Sequence, residues 1–286
     1  MINVIINWLL ISALYAIIAI GFTMIFGVGN VINLFHGASI TIGAYAAHYS
    51  FALGLPLSVS LLLGLAIPAI VNVLLYVGMI KPIQKKPVVI MVLTLILAVV
   101  VEHIVLVAIG DSPRVVPPIV AGTTEILGSR IQINRIIVFF ISWILIAALL
   151  VFMKFTKVGK AITATSMDTK GAAIMGINSD RMFLYVWAIA GLLAGIAGVF
   201  LASFQTATYS MGMDPLILAF AIVVIGGLGS IKGSIIGAYL IGGVETVMVS
   251  RISPRLSGLA ALAILVVVIM FRPEGMYGRE LIMEED

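Results

Sequence analysis

Cysteine is absent from the 286 residues, which excludes a disulfide scaffold, a thiolate metal site and a thiol nucleophile. Histidine occurs only three times, leaving too little for a His-based metal centre, so neither a metal nor a catalytic residue is expected. Charge is equally scarce. Only 10% of residues are Asp, Glu, Lys or Arg and 62% are hydrophobic, whereas soluble domains carry about 25% charged residues. That ratio leaves no room for a separate globular enzyme. No stretch reads G-x-x-x-x-G-K-[ST], the loop whose backbone amides cradle nucleotide phosphates, so a chain that used ATP would need another subunit to hold it. The net charge of +4 is dispersed among loops rather than gathered in a patch, which speaks against nucleic acid and for loops at a bilayer surface.

What the chain has instead is apolar length. Runs lie at 4–26, 38–54, 57–80, 88–109, 135–155, 182–204, 215–229, 233–250 and 257–271. The first has no Lys or Arg before it and no small-residue cleavage site, so it reads as a retained span. The runs at 215–229 and 257–271 are shorter than the ~17 residues a crossing usually needs, and 38–54 is marginal and rich in Gly and Ala. The expectation is an all-α, polytopic bundle of about eight to nine membrane segments, some discontinuous or re-entrant, forming one domain over residues 1–286.

Basic residues orient it. Lys81, Lys85 and Lys86, then Lys154, Lys157, Lys160, Lys170 and Arg181, then Lys232, then Arg272 and Arg279 mark the cytoplasmic side. The C-terminus is then cytoplasmic. The intervening 110–134 segment, with Pro113, Pro117, Pro118, Gly122 and Gly128, reads as an irregular outer loop, because paired prolines lack backbone donors and hold an extended path. Nine crossings would put Met1 outside and eight would put it inside, and both counts stay open.

The longest hydrophilic segment, KFTKVGKAITATSMDTKGAAIMGINSD at 154–180, looks ordered. Ala161, Ile162, Ala164 and Thr165 suit one short helix, Asp168 or Thr169 can cap a second, and Gly176 followed by Ile177 reads as a glycine C-cap with its apolar partner. Small residues on such a helix suit a partner's groove, and an ordinary basic loop is the alternative.

The spacing G-K-A-x-x-A-x-x-x-D-x-x-x-A-x-x-x-G-I-N in this segment resembles the cytoplasmic loop of permease subunits of bacterial and archaeal ABC importers, in particular the branched-chain amino-acid permeases. IGFTMIFGVGNVINLFHGASITIGAY at 20–45, IGGLGSIKGSIIGAYLIG at 225–242 and RPEGMYGRE at 272–280 match the same family in the same order. The short chain is more similar to the smaller of the two paralogous permeases. The resemblance implies a complex of two permease subunits, two ATP-binding subunits and an extracytoplasmic substrate-binding protein, embedded in the bilayer. It also implies that Gly159, Ala164, Asp168, Ala173, Gly176 and Ile177 form the coupling helix seated in the ATPase, with Asn178 ending the motif. Thr163 stands where the family commonly has an Arg, a charge that Lys160 would replace.

Two further groups are candidate pathway or helix-break positions. Asn30, Asn33, His36 and Gly37 follow the first span, where Asn can satisfy backbone freed by unwinding, while the family position suggests a pathway contact. Gly226, Gly227, Gly229, Gly233 and Gly237 interrupt and restart an apolar run, and Gly233 and Gly237 form a G-x-x-x-G pair that permits close helix packing. Glu102, His103 and Glu245 lie inside apolar spans without an intramembrane Lys or Arg, which fits a polar subunit interface or the relay of an ion-coupled carrier. The expected function is inward transport of branched-chain or related amino acids by alternating access, with urea, amide or sugar import and an ion-coupled carrier as the alternatives.

Overall fold

The computed structural model describes residues 1–253, 256, 258–272 and 274–277, and in it each of the nine apolar runs becomes a helix. They are α1 (Ile2–Gly29), α2 (Phe35–Ala52), α3 (Leu57–Leu75), α4 (Pro87–Ile109), α5 (Ile133–Phe155), α8 (Ser179–Phe204), α9 (Met213–Gly226), α10 (Ile231–Arg251) and α11 (Leu259–Phe271). Two short helices, α6 (Lys157–Met167) and α7 (Thr169–Ile174), fill the hydrophilic segment between α5 and α8. Six helices are long and apolar enough to cross a bilayer, while α9 and α11 are shorter apolar helices. The chain is a multi-pass membrane protein.

Burial separates the helices into two classes. The hydrophobic windows of α1 and α8 are each 72% buried, whereas those of α3, α4 and α5 are each 22% buried. α1 and α8 are therefore the core, and α3 to α5 present most of their surface outward. Apolarity alone does not decide this, since α4 and α5 are more apolar than α1; α1 is enclosed because α8, α9 and α10 all pack along it. α8 is enclosed for a different reason. Gly191, Gly195 and Gly198 let α2 and α3 approach its backbone: a Cβ at Gly191 would lie 2.6 Å from the Pro68 carbonyl oxygen, and one at Gly198 would strike the Ile40 carbonyl oxygen. Between helices in lipid, where apolar burial gives no drive, such close backbone packing is the main source of cohesion.

Side-chain contacts assign the helix ends to two sides. On one side Arg135 in the first turn of α5 donates to Asn7 of α1 at 3.2 Å. There, too, His48 near the end of α2 meets the Val115 carbonyl at 2.8 Å, and Arg114 exchanges backbone hydrogen bonds with Ala207 at 2.8 and 2.7 Å. On the other side the end of α1 touches Phe183 near the start of α8, and Lys81 pairs with Asp180 at 2.9 Å. That ion pair is about half exposed at each partner, so it aligns α3 with α8 and adds ~1 kcal/mol at most. Met1 and the basic 154–180 segment thus lie at opposite ends of the bundle. The nine apolar helices agree roughly with the eight to nine segments expected from the sequence.

Two traverses are completed by non-helical chain. His36 sits beside Ile18 and Gly21 of α1, about 16 Å back from the end of that helix at 1.5 Å per residue, so residues 30–34 re-enter the interior before α2 begins. α9 also begins inside, because Gly212 at its start lies against the Gly37 carbonyl. Val31 and Asn33 of the first break and Ala207 of the second are buried by protein, the condition under which a bilayer tolerates such backbone.

The outer loop is less irregular than its composition suggests. Thr123–Ile126 (β1) and Ser129–Gln132 (β2) pair antiparallel, with Thr123 opposite Gln132 and Ile126 opposite Ser129. The turn places Leu127 at φ 51° and Gly128 at φ 76°, the double left-handed geometry of a type I′ hairpin, which ordinarily announces itself as Asn-Gly or Asp-Gly. Leucine in the first of those positions hides the signal. Gly278, Arg279 and Glu280 of the 272–280 motif lie outside the described residues, as does Pro273.

Candidate functional site

The basic end is built from local side-chain caps, of which the sequence predicts that of Asp168. The Thr156 hydroxyl accepts from the Gly159 N–H at 2.9 Å and starts α6. Asp168 separates α6 from α7 and its carboxylate accepts from the Lys170 N–H at 2.9 Å, while Asn178 accepts from the Arg181 N–H at 3.1 Å to start α8. Each such cap is worth ~1 kcal/mol. Past α7 the chain closes in a Schellman turn: Gly176 takes φ 80°, and the Ile177 N–H reaches back to the Ala172 carbonyl at 3.0 Å.

Within this segment the candidate coupling residues divide by exposure. Lys160, Asp168, Ala173 and Gly176 are exposed, and Ala164 and Ile177 are half-buried. Gly159 is buried, and a Cβ there would strike the Phe152 carbonyl of α5. Its role is thus the tight passage from α5 into α6. Thr163 is exposed and its hydroxyl donates to the Gly159 carbonyl at 3.0 Å, so the surface where an arginine was expected is neutral, with Lys160 one turn away. Not anticipated from sequence is the apolar tip beside them: Ile174 is 85% exposed, Met175 81% and Met167 66%. The signal was present as a consecutive Ile-Met directly before the glycine C-cap.

The glycine-rich and C-terminal stretches of the chain converge on the same end. Gly27 of α1 packs against Gly229, where an added Cβ would lie 3.1 Å from the opposing Cα, and the Thr23 and Ser234 hydroxyls are hydrogen-bonded. The Met276 and Tyr277 N–H groups donate to the Ile225 and Gly226 carbonyls at 2.9 and 3.0 Å. The C-terminal motif is therefore a strap across the glycine-rich turn, a pairing of segments remote in sequence that no local pattern reveals.

In that turn Gly227 and Gly229 have φ 103° and 82°, and Gly226 and Gly233 meet backbone to backbone. Gly237 lies against the Ile222 carbonyl, 2.6 Å from where its Cβ would sit. These glycines close α9 onto α10. Asn30 takes the left-handed cap position with φ 49°, and Asn33 accepts from the Phe35 N–H at 3.1 Å. His36 bonds the Ile18 carbonyl through Nε2 at 3.1 Å, and Gly37 accommodates Gly212. All of these contacts are internal to the bundle, and the structure brings Asn33, His36 and Gly37 to the interior break while leaving Asn30 exposed at its rim.

At the opposite end α1, α5, α8 and α10 border a half-open cavity of about 440 Å³ whose polar lining includes Asn7, Tyr15, Arg135, Gln205 and Glu245. This corrects the expectation that the intramembrane carboxylates have no cation in the spans. Arg135, at the edge of an outer loop by sequence, is carried into the bundle by the first turn of α5. Glu102 lies on α4 and Glu245 on α10. His103 is exposed, with its Nδ1 at 2.9 Å from the Val99 carbonyl of its own helix. α4 packs on α2 and α10 on α1 and α9, so these groups form no single cluster.

A family model described as the permease component of branched-chain amino acid transport systems matches residues 4–269. The high-affinity branched-chain amino acid transport system permease protein LivH of Escherichia coli K12 is 27% identical, covering 96% of this chain and 94% of its own. The corresponding BraD protein of Pseudomonas aeruginosa is 28% identical over 96% of this chain and 94% of its own. Among solved structures, PsaBC from Streptococcus pneumoniae in complex with Fab superposes with a TM-score of 0.51 at 17% identity, covering 96% of this chain and 94% of that one, a likeness of fold.

Proposed function

This chain belongs to the branched-chain amino acid transport permease family, and from that membership we propose that it is the membrane-spanning permease subunit of an ATP-driven importer of branched-chain or closely related amino acids. It works with two ATP-binding subunits, a second permease subunit and an extracytoplasmic binding protein, and itself performs no covalent chemistry. The observation that carries the reading is the ordered, capped α6–α7 surface at the basic end. A self-contained carrier has no use for such an element, and an ATPase partner does.

Basic residues collect on the cytoplasmic side, which puts α6, α7, the glycine-rich turn and residues 274–277 inside and Met1 with the hairpin outside. α6 rests on α1 and α8 as well as on α5. A displacement delivered by ATPase closure therefore enters the two most buried helices directly and bypasses the lipid-facing α3 and α4. Alternating access then follows as the core pair shifts against its counterpart in the second permease.

The energy source is tested in proteoliposomes holding the full complex. Leucine uptake is expected to require ATP and binding protein, to survive collapse of the proton gradient, and to survive Glu102→Gln. Uptake by this chain alone under an imposed pH gradient would overturn the importer in favour of an ion-coupled carrier.

Orientation has its own test, made clean by the absence of cysteine. In intact cells Lys86→Cys and Lys170→Cys should be shielded from an impermeant thiol reagent while Thr123→Cys in the hairpin is labelled. Labelling of Lys170→Cys from outside would invert the assignment.

A further inference from the structure

The outer cavity has the chemistry of a ligand site rather than of a packing defect. Its volume of about 440 Å³ falls within the ~300–1,000 Å³ typical of small-molecule sites. Its lining divides between apolar side chains, among them Leu10, Leu14, Val138 and Phe204, and a polar set that includes Arg135, Asn7 and Glu245. An ionisable residue at this depth costs several kcal/mol unless it is partnered or functional.

Arg135 is only partly partnered. Its Nη1 donates to the Asn7 side-chain oxygen at 3.2 Å and its guanidinium lies 5.2 Å from the Phe204 ring centroid. Its Nε is buried without an acceptor, and among the described residues no carboxylate lies within ion-pair reach of it. A guanidinium carries five donors in a planar fork that fits a carboxylate in two-point contact. Glu245, on the same cavity, has both carboxylate oxygens at 3.1 Å from the Gly258 N–H, which fixes its position in the lining.

We infer that this cavity is an intramembrane binding site for a free α-amino acid with an apolar side chain. The substrate carboxylate docks on Arg135, its ammonium lies toward the Asn7 side-chain oxygen, and its side chain rests on Leu10, Leu14 and Val138. The site opens at the end of the bundle where Met1 and the hairpin lie, so it is the first stop for substrate arriving from outside. The inference rests on the importer reading for its ligand class, and the experiment separates the two.

Ser250 in the cavity lining is changed to Cys in the full complex in nanodiscs, and its alkylation rate is measured with leucine, leucinol or 4-methylpentanoate. Saturating leucine is expected to slow alkylation about tenfold or more, as occupancy of one site well above its Kd requires. Leucinol, which lacks the carboxylate, should protect poorly. Arg135→Gln should raise the leucine concentration for half-protection about a hundredfold, the cost of removing one partner of a desolvated ionic contact, and Arg135→Lys should recover part of it.

Equal protection by leucine, leucinol and 4-methylpentanoate would show an apolar hollow and overturn the assignment, as would protection by short-chain phosphatidylglycerol but not by leucine. ATP-driven leucine uptake is measured on the same preparation. Uptake without protection refutes the site and leaves the importer standing, whereas protection without uptake keeps the site and refutes the importer.

Discussion

Ile174→Asp combined with Met175→Asp is expected to abolish co-purification of the ATP-binding subunit and all ATP-driven uptake while membrane insertion stays normal. Both side chains project from the α6–α7 tip at more than four-fifths exposure, so the bundle loses nothing when they are replaced. A partner groove that covers them loses the ~1.5–3 kcal/mol each buried apolar side chain contributes and meets two unpaired carboxylates besides. Two such losses weaken association by about a thousandfold or more. Ala173→Trp, exposed on the same short helix, should act in the same direction through bulk alone. Undiminished recovery of the ATPase with both variants would remove α6–α7 as the docking element.

An effect of similar size is expected inside the membrane, where Gly198→Leu should leave little folded protein and Gly78→Leu should behave as wild type. Both glycines lie in apolar helical stretches, and a composition argument treats them alike. At Gly198 an added Cβ runs into the Ile40 carbonyl and lies 3.1 Å from the Ala44 backbone nitrogen. The obstacle is helix backbone rather than a side chain that could rotate away. Overpacking costs ~1–3 kcal/mol where neighbours can yield and more where they cannot, and the packing disturbed at this point is what joins α2 to the central α8. At Gly78 nothing lies within 4 Å of the Cβ position, and the site is exposed. Thermal unfolding of the detergent-solubilised protein, followed by the fraction remaining monodisperse, decides the matter. Equal losses at the two positions would contradict the close α2–α8 packing.

The residues that flank the cavity show where local pattern stops being informative. Asn7, Tyr15, Arg135 and Glu245 come from three helices and are separated by more than a hundred residues between Tyr15 and Arg135 and again between Arg135 and Glu245. None belongs to a motif. Arg135 reads as the last charge of an outer loop because loop and span share it, and only the first turn of α5 turns it inward. The glycine-rich turn was legible as a break, but not as the seat of the C-terminal strap, because the hydrogen bonds of Met276 and Tyr277 run between segments with no pairing signal of their own.

The amino-acid sequence by itself determined the bilayer as solvent, the nine helical runs, the Asp168 cap, the glycine C-cap at Gly176, and the segregation of Lys to one end. Each of these follows from hydropathy or from a hydrogen bond spanning at most a few residues, so a short window contains all the physics. The tertiary structure alone decided that α1 and α8 are central, that α2 and α9 begin inside the bundle, and that a polar cavity lies opposite the basic end. Those outcomes depend on which backbones can approach which. In lipid, where apolar surface is indifferent to its neighbour, that choice rests on the steric fit of glycines far apart in the chain.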